Sequence, residues 1–294
     1  MHIEQLESFL EVARRGNVSK TAQALFVNQP TLTARLHALE RELGAKLFIR
    51  SRRGMRLTDA GRAFMPYAER ALRELRAGKD AIDGSKAPQS GRLVLAAAPA
   101  VSTYQLPDLL QRFVAAYPKV EIAVRTGHSD DILAMVLREE VDLGFMRAIA
   151  HRDVQAWPFR QEQLVLVVAP RHPFAKRRSV KTEALGAEQL ILFDRTSSYY
   201  ELTQALFISA GVQPRSIMEL DNIEAAKRMV ERRLGVALLP RSAVEGDLAS
   251  RKLRLVRIAD APQVTQSIVI VRRRDLGAPT GLLAAFLALA RKER

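Results

Sequence analysis

The residues with the clearest chemistry lie close together near the start of the chain. Gln29, Thr31, Thr33 and Arg35 occupy one short stretch beside Pro30. Their side chains are donors and acceptors of a size suited to base edges and phosphates. Downstream, Arg50, Arg52, Arg53 and Arg56 surround Gly54. Arginines across a tight turn suit a sugar-phosphate backbone. Alone, such a turn would read as solvated surface, but its place directly after the Gln29–Arg35 stretch favours nucleic acid. Catalysis has no comparable support. The five histidines (His2, His37, His128, His151 and His172) include no two at metal-ligand spacing. No GxSxG, P-loop or GxGxxG occurs. With no cysteine, thiolate chemistry, disulfides and cysteine-ligated zinc are excluded. Asp130-Asp131 falls at a helix start, where carboxylates cap. We therefore expect no metal, no cofactor and no enzymatic activity.

These residues need a scaffold, and the surrounding pattern predicts one. Residues 2–15 carry Ile3, Leu6, Phe9, Leu10 and Ala13 on one helical face, and Gly16-Asn17 ends that helix. Ser19 is placed to N-cap the next helix and Asn28 the one after. Pro30 suits a first helical turn, where a missing N–H costs nothing. Leu32, Leu36, Leu39 and Leu43 form one apolar stripe, and Gly44 stops the helix. Leu47-Phe48-Ile49 and Leu57-Thr58 bracket the arginine turn as a hairpin. Two short helices followed by a basic hairpin make a helix-turn-helix with a wing.

Leu6, Phe9, Gln29-Pro30, Leu39-Glu40, the run LGAKLFIR and the run LTDAG carry a specific likeness. Residues 1–61 resemble the winged helix-turn-helix domain of LysR-type transcriptional regulators. The resemblance implies that Gln29, Pro30, Thr31, Thr33 and Arg35 read or flank bases in the major groove. It implies that Arg50 and Arg53 contact phosphate or the adjacent minor groove. One departure stands out: an arginine is common in the family where this chain has Ala34, and Arg35 sits beside it.

The chain has 294 residues, 48% of them hydrophobic, enough for more than one sizeable core. Its formal net charge is +14, from 46 basic and 32 acidic residues, which fits a polyanionic partner. The excess is not confined to one end, because 251–257 and 272–274 are also basic. No apolar run approaches a membrane span, and the first residues form an amphipathic helix, not a signal peptide. A soluble, cytoplasmic protein with no membrane partner is expected.

Thr58 is the expected N-cap of a long helix reaching about Ile82, with Ala60, Phe64, Tyr67, Ala71, Leu75 and Ile82 near one stripe. Such a helix finds a partner in a second copy or in its own C-terminal part. The resemblance implies the former: a linker helix through which two chains dimerise, with a homotetramer as a dimer of dimers. Gly84–Gly91 reads as a flexible hinge.

From Arg92 onward strands alternate with helices: RLVLAAA, KVEIAVR, DLGFM, QLVLVVAP, QLILF, RSIMEL, GVALLP, LRLVRI and SIVIVRR read as strands. Helices are expected near 105–116, 130–138, 200–210, 223–233 and 280–291. That alternation implies α/β structure with parallel sheet. The expected fold is thus α/β with an all-α-rich N-terminal winged helix-turn-helix. The resemblance implies a C-terminal periplasmic-binding-protein-like domain of two α/β lobes. The expected domains are 1–58, a DNA-binding domain; 59–90, the linker helix and hinge; and 91–294, an effector-binding domain. Lobe 1 would be 91–160 with 267–294, lobe 2 would be 161–266, and the crossings would lie near Gln163 and Thr265.

Ligands of open α/β sheets sit at the carboxyl ends of strands, beside helix N-termini. That rule selects Ala98–Thr103, Gly127-His128-Ser129, Arg147, Arg195–Tyr199 and Asp221-Asn222, and within them Ala100, Ser102, Thr103, Ser129, Arg147, Ser197, Ser198, Tyr199 and Asn222 as effector contacts. Ser and Asn there also serve as plain helix caps, whereas no cap explains Arg147. Many family members carry Ser or Thr directly after the first strand; this chain has Ala98 and Ala100. The expected effector is a small anionic metabolite. Double-stranded DNA bearing an inverted repeat is the expected macromolecular partner, and RNA polymerase a further candidate. Two other readings remain open: a solute-binding module whose basic head binds nucleic acid without specificity, and a small-molecule enzyme with a regulatory head.

Overall fold

The computed structural model describes residues 1–51, 54–82, 91–261 and 263–292. The chain divides into two compact units, Met1–Lys86 and Ala87–Arg294. Arg52, Arg53 and the expected hinge through Ser90 lie outside the described residues.

The first unit runs α1 (Ile3–Arg15), α2 (Val18–Ala24), α3 (Gln29–Leu43), β1 (Phe48–Ser51), β2 (Gly54–Leu57) and α4 (Asp59–Ile82). Asn28 caps α3 by accepting from Thr31 N at 2.8 Å, and Thr58 caps α4 by accepting from Gly61 N at 3.0 Å. The cap of α2 is Asn17, which accepts from Lys20 N at 2.9 Å, and not Ser19. The helix starts one residue after Asn17, so Ser19 lies inside its first turn. Its Oγ instead donates to Gln29 Oε1 at 3.0 Å. Leu32, Leu36 and Leu39 of α3 pack with Leu6, Phe9 and Val12 of α1 in one core.

The stripe expected on α4 divides. Ala60, Phe64 and Ala71 pack with the buried Ala68 and Leu72 on the core of the first unit, while Tyr67 and Leu75 are 60% and 51% exposed and the Ile82 side chain lies outside the described residues. The cause is a local core after all: α1 lies against α4, and the Phe9 and Phe64 rings sit 5.4 Å apart.

The wing is tied to the helices at both ends. A methyl group on Gly54 (φ +113°) would lie 2.2 Å from Gly16 O, the carbonyl that accepts from Met55 N at 2.8 Å. A methyl on Gly61 would lie 2.3 Å from Leu47 O. Glu40, only 7% exposed, joins α3 to β1. Its carboxylate accepts from Leu47 N at 2.9 Å, Phe48 N at 3.4 Å and Lys46 Nζ at 2.7 Å. Burial alone would raise the Glu40 pKa. The hydrogen bonds from Lys46, Leu47 and Phe48 outweigh it and hold the carboxyl below its ordinary value.

The second unit begins with β3 (Gly91–Ala97), α5 (Pro99–Tyr104), α6 (Leu106–Ala116), β4 (Val120–Thr126), α7 (Ser129–Leu137), β5 (Leu143–Arg147) and β6 (Val154–Val168). Next come β7 (Ser179–Val180), α8 (Thr182–Leu185), β8 (Gln189–Phe193), α9 (Ser198–Ser209), β9 (Ser216–Leu220) and α10 (Ile223–Glu231). It ends with β10 (Val236–Pro240), α11 (Arg241–Ala249), β11 (Arg254–Ile258), β12 (Thr265–Arg273) and α12 (Gly281–Arg291). The strand order is β4-β3-β5-β12-β6-β10-β8-β9, with β11 on β6 and β7 on β11.

The sheet is mixed, not parallel throughout. β3 pairs parallel with β4 and β5, and β8 with β9 and β10, but β6 and β12 run antiparallel to their neighbours. β6 holds the two halves of the sheet together. It pairs with β12 as far as Gln163, opposite Thr265, and with β10 from Leu164, opposite Pro240. Each half has its own core, one around Leu95, Phe113, Phe145 and Phe286, the other around Val167, Ile191, Val230 and Leu239. The sequence reading starts β6 at Gln163, whereas the strand begins at Val154. Its first part, through Gln163, buries only Val154, Phe159 and Glu162, and its pairing slips beside Pro158, between Ile268 and Val269 of β12. A proline within a sparsely buried stretch hides a strand that a bulge accommodates.

Glu40→Ala leaves the Leu47 and Phe48 N–H groups buried without their acceptor, so the first unit should lose about 1–3 kcal/mol in thermal unfolding. The folded carboxyl has the lower pKa, so this stabilisation is complete above the unfolded-state pKa. It should fade in acid as pH falls through the folded value, which a pH series of wild type against Glu40→Ala would read. Gly61→Ala must displace the Leu47 carbonyl and should cost about 1–3 kcal/mol in the same melt. Gly78→Ala, with nothing within 4 Å of the new methyl, should leave stability equal or raise it by up to about 1 kcal/mol.

Candidate nucleic-acid interface and interlobe cleft

The face of α3 away from its core is the first candidate surface. Gln29, Pro30, Thr33, Ala34 and His37 line one shallow, open depression. The Ser19 hydroxyl steadies Gln29 there. Thr31 is exposed and Arg35 half-buried, and at about 100° per residue they fall on the neighbouring flank of α3. The depression therefore gathers Gln29, Pro30 and Thr33, and leaves Thr31 and Arg35 beside it. His37 joins the depression, because it stands one turn beyond Thr33. On the wing, Arg50 is exposed on β1 opposite Met55, and Arg56 is exposed on β2 opposite Ile49. Arg53 lies outside the described residues.

The second candidate lies where the two halves of the α/β unit meet. Arg147 ends β5 and is about one-third exposed. Its backbone N–H donates to Ser129 Oγ at 3.4 Å. Its guanidinium crosses to Glu201 of α9, with Nη1 3.3 Å from Oε2, and stands 4.0 Å from Asp130. A second crossing joins His128 to the loop before α9. Thr196 Oγ1 donates its one proton to Asp194 at 2.6 Å, so His128 Nε2, 3.2 Å away, is the donor in that pair. The Thr196 hydrogen bond, helped by the nearby His128, holds the Asp194 carboxyl below its ordinary pKa. Ser198 accepts from Gln266 Nε2 at 2.9 Å.

The other sequence-selected residues are placed differently. Ser197 caps α9 by accepting from Tyr199 N at 3.3 Å, and Asn222 caps α10 by accepting from Ala225 N at 3.0 Å. Ser102 donates to Pro99 O at 3.0 Å, and Thr103 is exposed on α5. Ala100 and Tyr199, 2% and 7% exposed, are packed in the core of the second half. The Tyr199 ring lies 5.4 Å from that of Phe193. The structure thus brings Ser129, Arg147 and Ser198 towards the junction, while the side chains of Ala100 and Tyr199 are taken up by packing. Glu201 was missed, and so were the pairs His128–Thr196 and Arg147–Glu201, since a pair made by two residues far apart in sequence leaves no spacing to read.

Beneath the junction, Glu162 of β6 is 4% exposed. It accepts from Gln105 Nε2 and from Ser242 N, the latter at 3.2 Å. On the side of α5, Tyr104 OH donates to Glu224 at 2.6 Å, and Glu224 and Asp247 hold Lys227 Nζ at 2.9 and 2.6 Å. Burial and the adjacent Glu224 push the Tyr104 phenol up from its ordinary pKa. Among the described residues no group of His, Cys, Asp or Glu is placed to hold a metal ion, and no helix is long and apolar enough to cross a membrane.

Comparison with known proteins matches both units of the chain. Residues 3–62 match the family described as bacterial regulatory helix-turn-helix protein, lysR family, and residues 86–294 match the LysR substrate binding domain. The HTH-type transcriptional regulator GltR of Bacillus subtilis is 30% identical over 289 residues, covering 98% of this chain and 95% of its own length. The uncharacterised HTH-type regulator YusT of the same organism is 31% identical, covering 93% of this chain and 90% of its own. The structure of full-length CbnR complexed with its target DNA aligns with a TM-score of 0.58 and 27% identity, covering 100% of this chain and 99% of that one. The chain belongs to the LysR family of transcriptional regulators, with a helix-turn-helix head and a LysR substrate-binding domain.

Proposed function

We propose that this regulator reads an inverted-repeat promoter site with α3 and its wing, and that a small anionic effector in the interlobe cleft controls it. The observation that carries the first part is the Glu40 clamp, which fixes the Gln29–His37 surface and the Arg50 strand in one frame. Gln29, Pro30, Thr31, Thr33 and Arg35 then meet base edges and their flanking phosphates, and Arg50 meets the backbone. CbnR, solved with its target DNA, supports the same use of this head. Two chains pair along the exposed Tyr67 and Leu75 of α4, and two such dimers form a tetramer. RNA polymerase is the partner through which promoter output changes.

For the effector, the supporting observation is Arg147, a guanidinium at a strand end between the starts of α7 and α9. A guanidinium and two helix N-termini suit a carboxylate. Glu201 already stands at 3.3 Å from Arg147, so an incoming anion replaces an internal carboxylate. Ser129, Ser198 and Thr196 supply neutral polar contacts around it.

Footprinting on duplexes selected from a randomised library tests the DNA reading. A discrete protected inverted repeat is expected, and diffuse coverage would overturn specific recognition. Thr33→Ala should change sequence preference, whereas Arg50→Ala should weaken all DNA and reduce the salt slope by about 0.9. For the cleft, a thermal-shift series with small carboxylates should find one that raises the melting temperature with concentration. Arg147→Ala should abolish that shift and Glu201→Gln should enlarge it. A shift that survives Arg147→Ala would place the ligand elsewhere.

A further inference from the structure

The turn between α2 and α3 contains a residue that its own fold does not use. Phe26 is 96% exposed, above every other large hydrophobic among the described residues. Its backbone is also left-handed, at φ +53°, a region that strains a residue carrying an aromatic side chain. The neighbouring residues are ordinary. Leu25 and Val27 pack against the core of the first unit. Phe26 N donates to Gln23 O at 3.2 Å, and Val27 N to Ala22 O at 3.0 Å. The turn is thus fixed by its hydrogen bonds and by the two aliphatic side chains. Glycine or asparagine would meet the same backbone with less strain and no exposed ring. An apolar group held out in a rigid turn recovers its hydration cost only when a partner covers it.

The position of Phe26 points to that partner. Two residues later Asn28 caps α3, and Gln29 and Pro30 open the depression on its outer face. The N-terminus of α3 carries the positive end of the helix dipole, which favours phosphate. A ring placed there stands at the rim of the surface that meets the duplex. We propose that Phe26 is a DNA contact. Its ring covers an apolar surface of the duplex at the groove rim, either a thymine methyl group or the face of a deoxyribose. The contact adds affinity without charge, and it rests on the reading in which α3 enters the major groove.

The test uses the full chain and a duplex selected from a randomised library by the wild-type protein. Phe26→Asn should melt at the same or a higher temperature, since asparagine accepts the left-handed backbone. It should bind the duplex about tenfold more weakly. Its slope of log affinity against log salt should match wild type, because no phosphate contact is lost. Phe26→Tyr, which keeps the ring, should bind as wild type does. Repeating the titration with uracil for thymine separates the two sources. Weaker wild-type binding on that duplex identifies the methyl group, and unchanged binding identifies the sugar. Wild-type affinity in Phe26→Asn overturns the proposal. A lowered melting temperature overturns it too, because the ring would then be structural. A change of oligomeric mass assigns the ring to a second copy and likewise overturns it. Thr33→Ala and Arg35→Ala on the same duplex keep the two readings apart. If they lose affinity and Phe26→Asn does not, only the contact fails; if they too are unaffected, α3 is not the reading helix.

Discussion

The DNA-binding half of this protein depends on one buried carboxylate. Glu40 sits near the end of α3 and accepts hydrogen bonds from the first residues of β1 and from Lys46. A helix and a hairpin joined by a short loop would otherwise be free to shift, and a shift of an ångström misaligns base and backbone contacts together. The carboxylate prevents this because its acceptors are already committed to the wing. Gly61 and Thr58 act on the same joint from the other side, where Thr58 Oγ1 donates to Lys46 O at 2.6 Å. The outer face of α3 and the wing are therefore held as one body.

The larger unit uses a comparable economy at its junction. Its helix starts carry the caps that hold the helices and also the polar groups that cross between the two halves. Arg147 with Glu201, and His128 with Thr196, join the halves without an added ligand. The Arg147 guanidinium is thus already balanced by Glu201, with Asp130 at 4.0 Å. Under the proposed effector reading, an anion reaching it exchanges with an internal carboxylate instead of filling a bare charge. Below these contacts, α5 is seated in the second half through Ala100 and Tyr104. That seat explains why small, apolar residues follow β3: Ala100 is used for packing between the halves.

Much of this was legible in the sequence. The leucine stripe of α3, the Asn28 cap, Pro30 in the first turn and the Thr58 cap are local rules, and each acts over a turn or two of chain. The strands of the α/β unit were legible where they are buried on both faces, as in β8 and β10. β6 was half hidden because its first part buries few residues and carries Pro158. Ser19 was misassigned because two residues able to cap, Asn17 and Ser19, lie close together, and it is Asn17 that accepts from Lys20 N.

The sequence by itself determined the family, the helix-turn-helix and the candidate bases of recognition, because these rest on short-range spacing within one element. Tertiary structure alone decided which side chains those elements spend on packing. It withdrew the side chains of Ala100 and Tyr199 into a core. It also paired His128 with Thr196 and Arg147 with Glu201, and left Phe26 uncovered. The physical reason is the same in each case. Burial and long-range pairing depend on elements far apart in the chain, and no local pattern specifies which of two polar neighbours meets a distant partner.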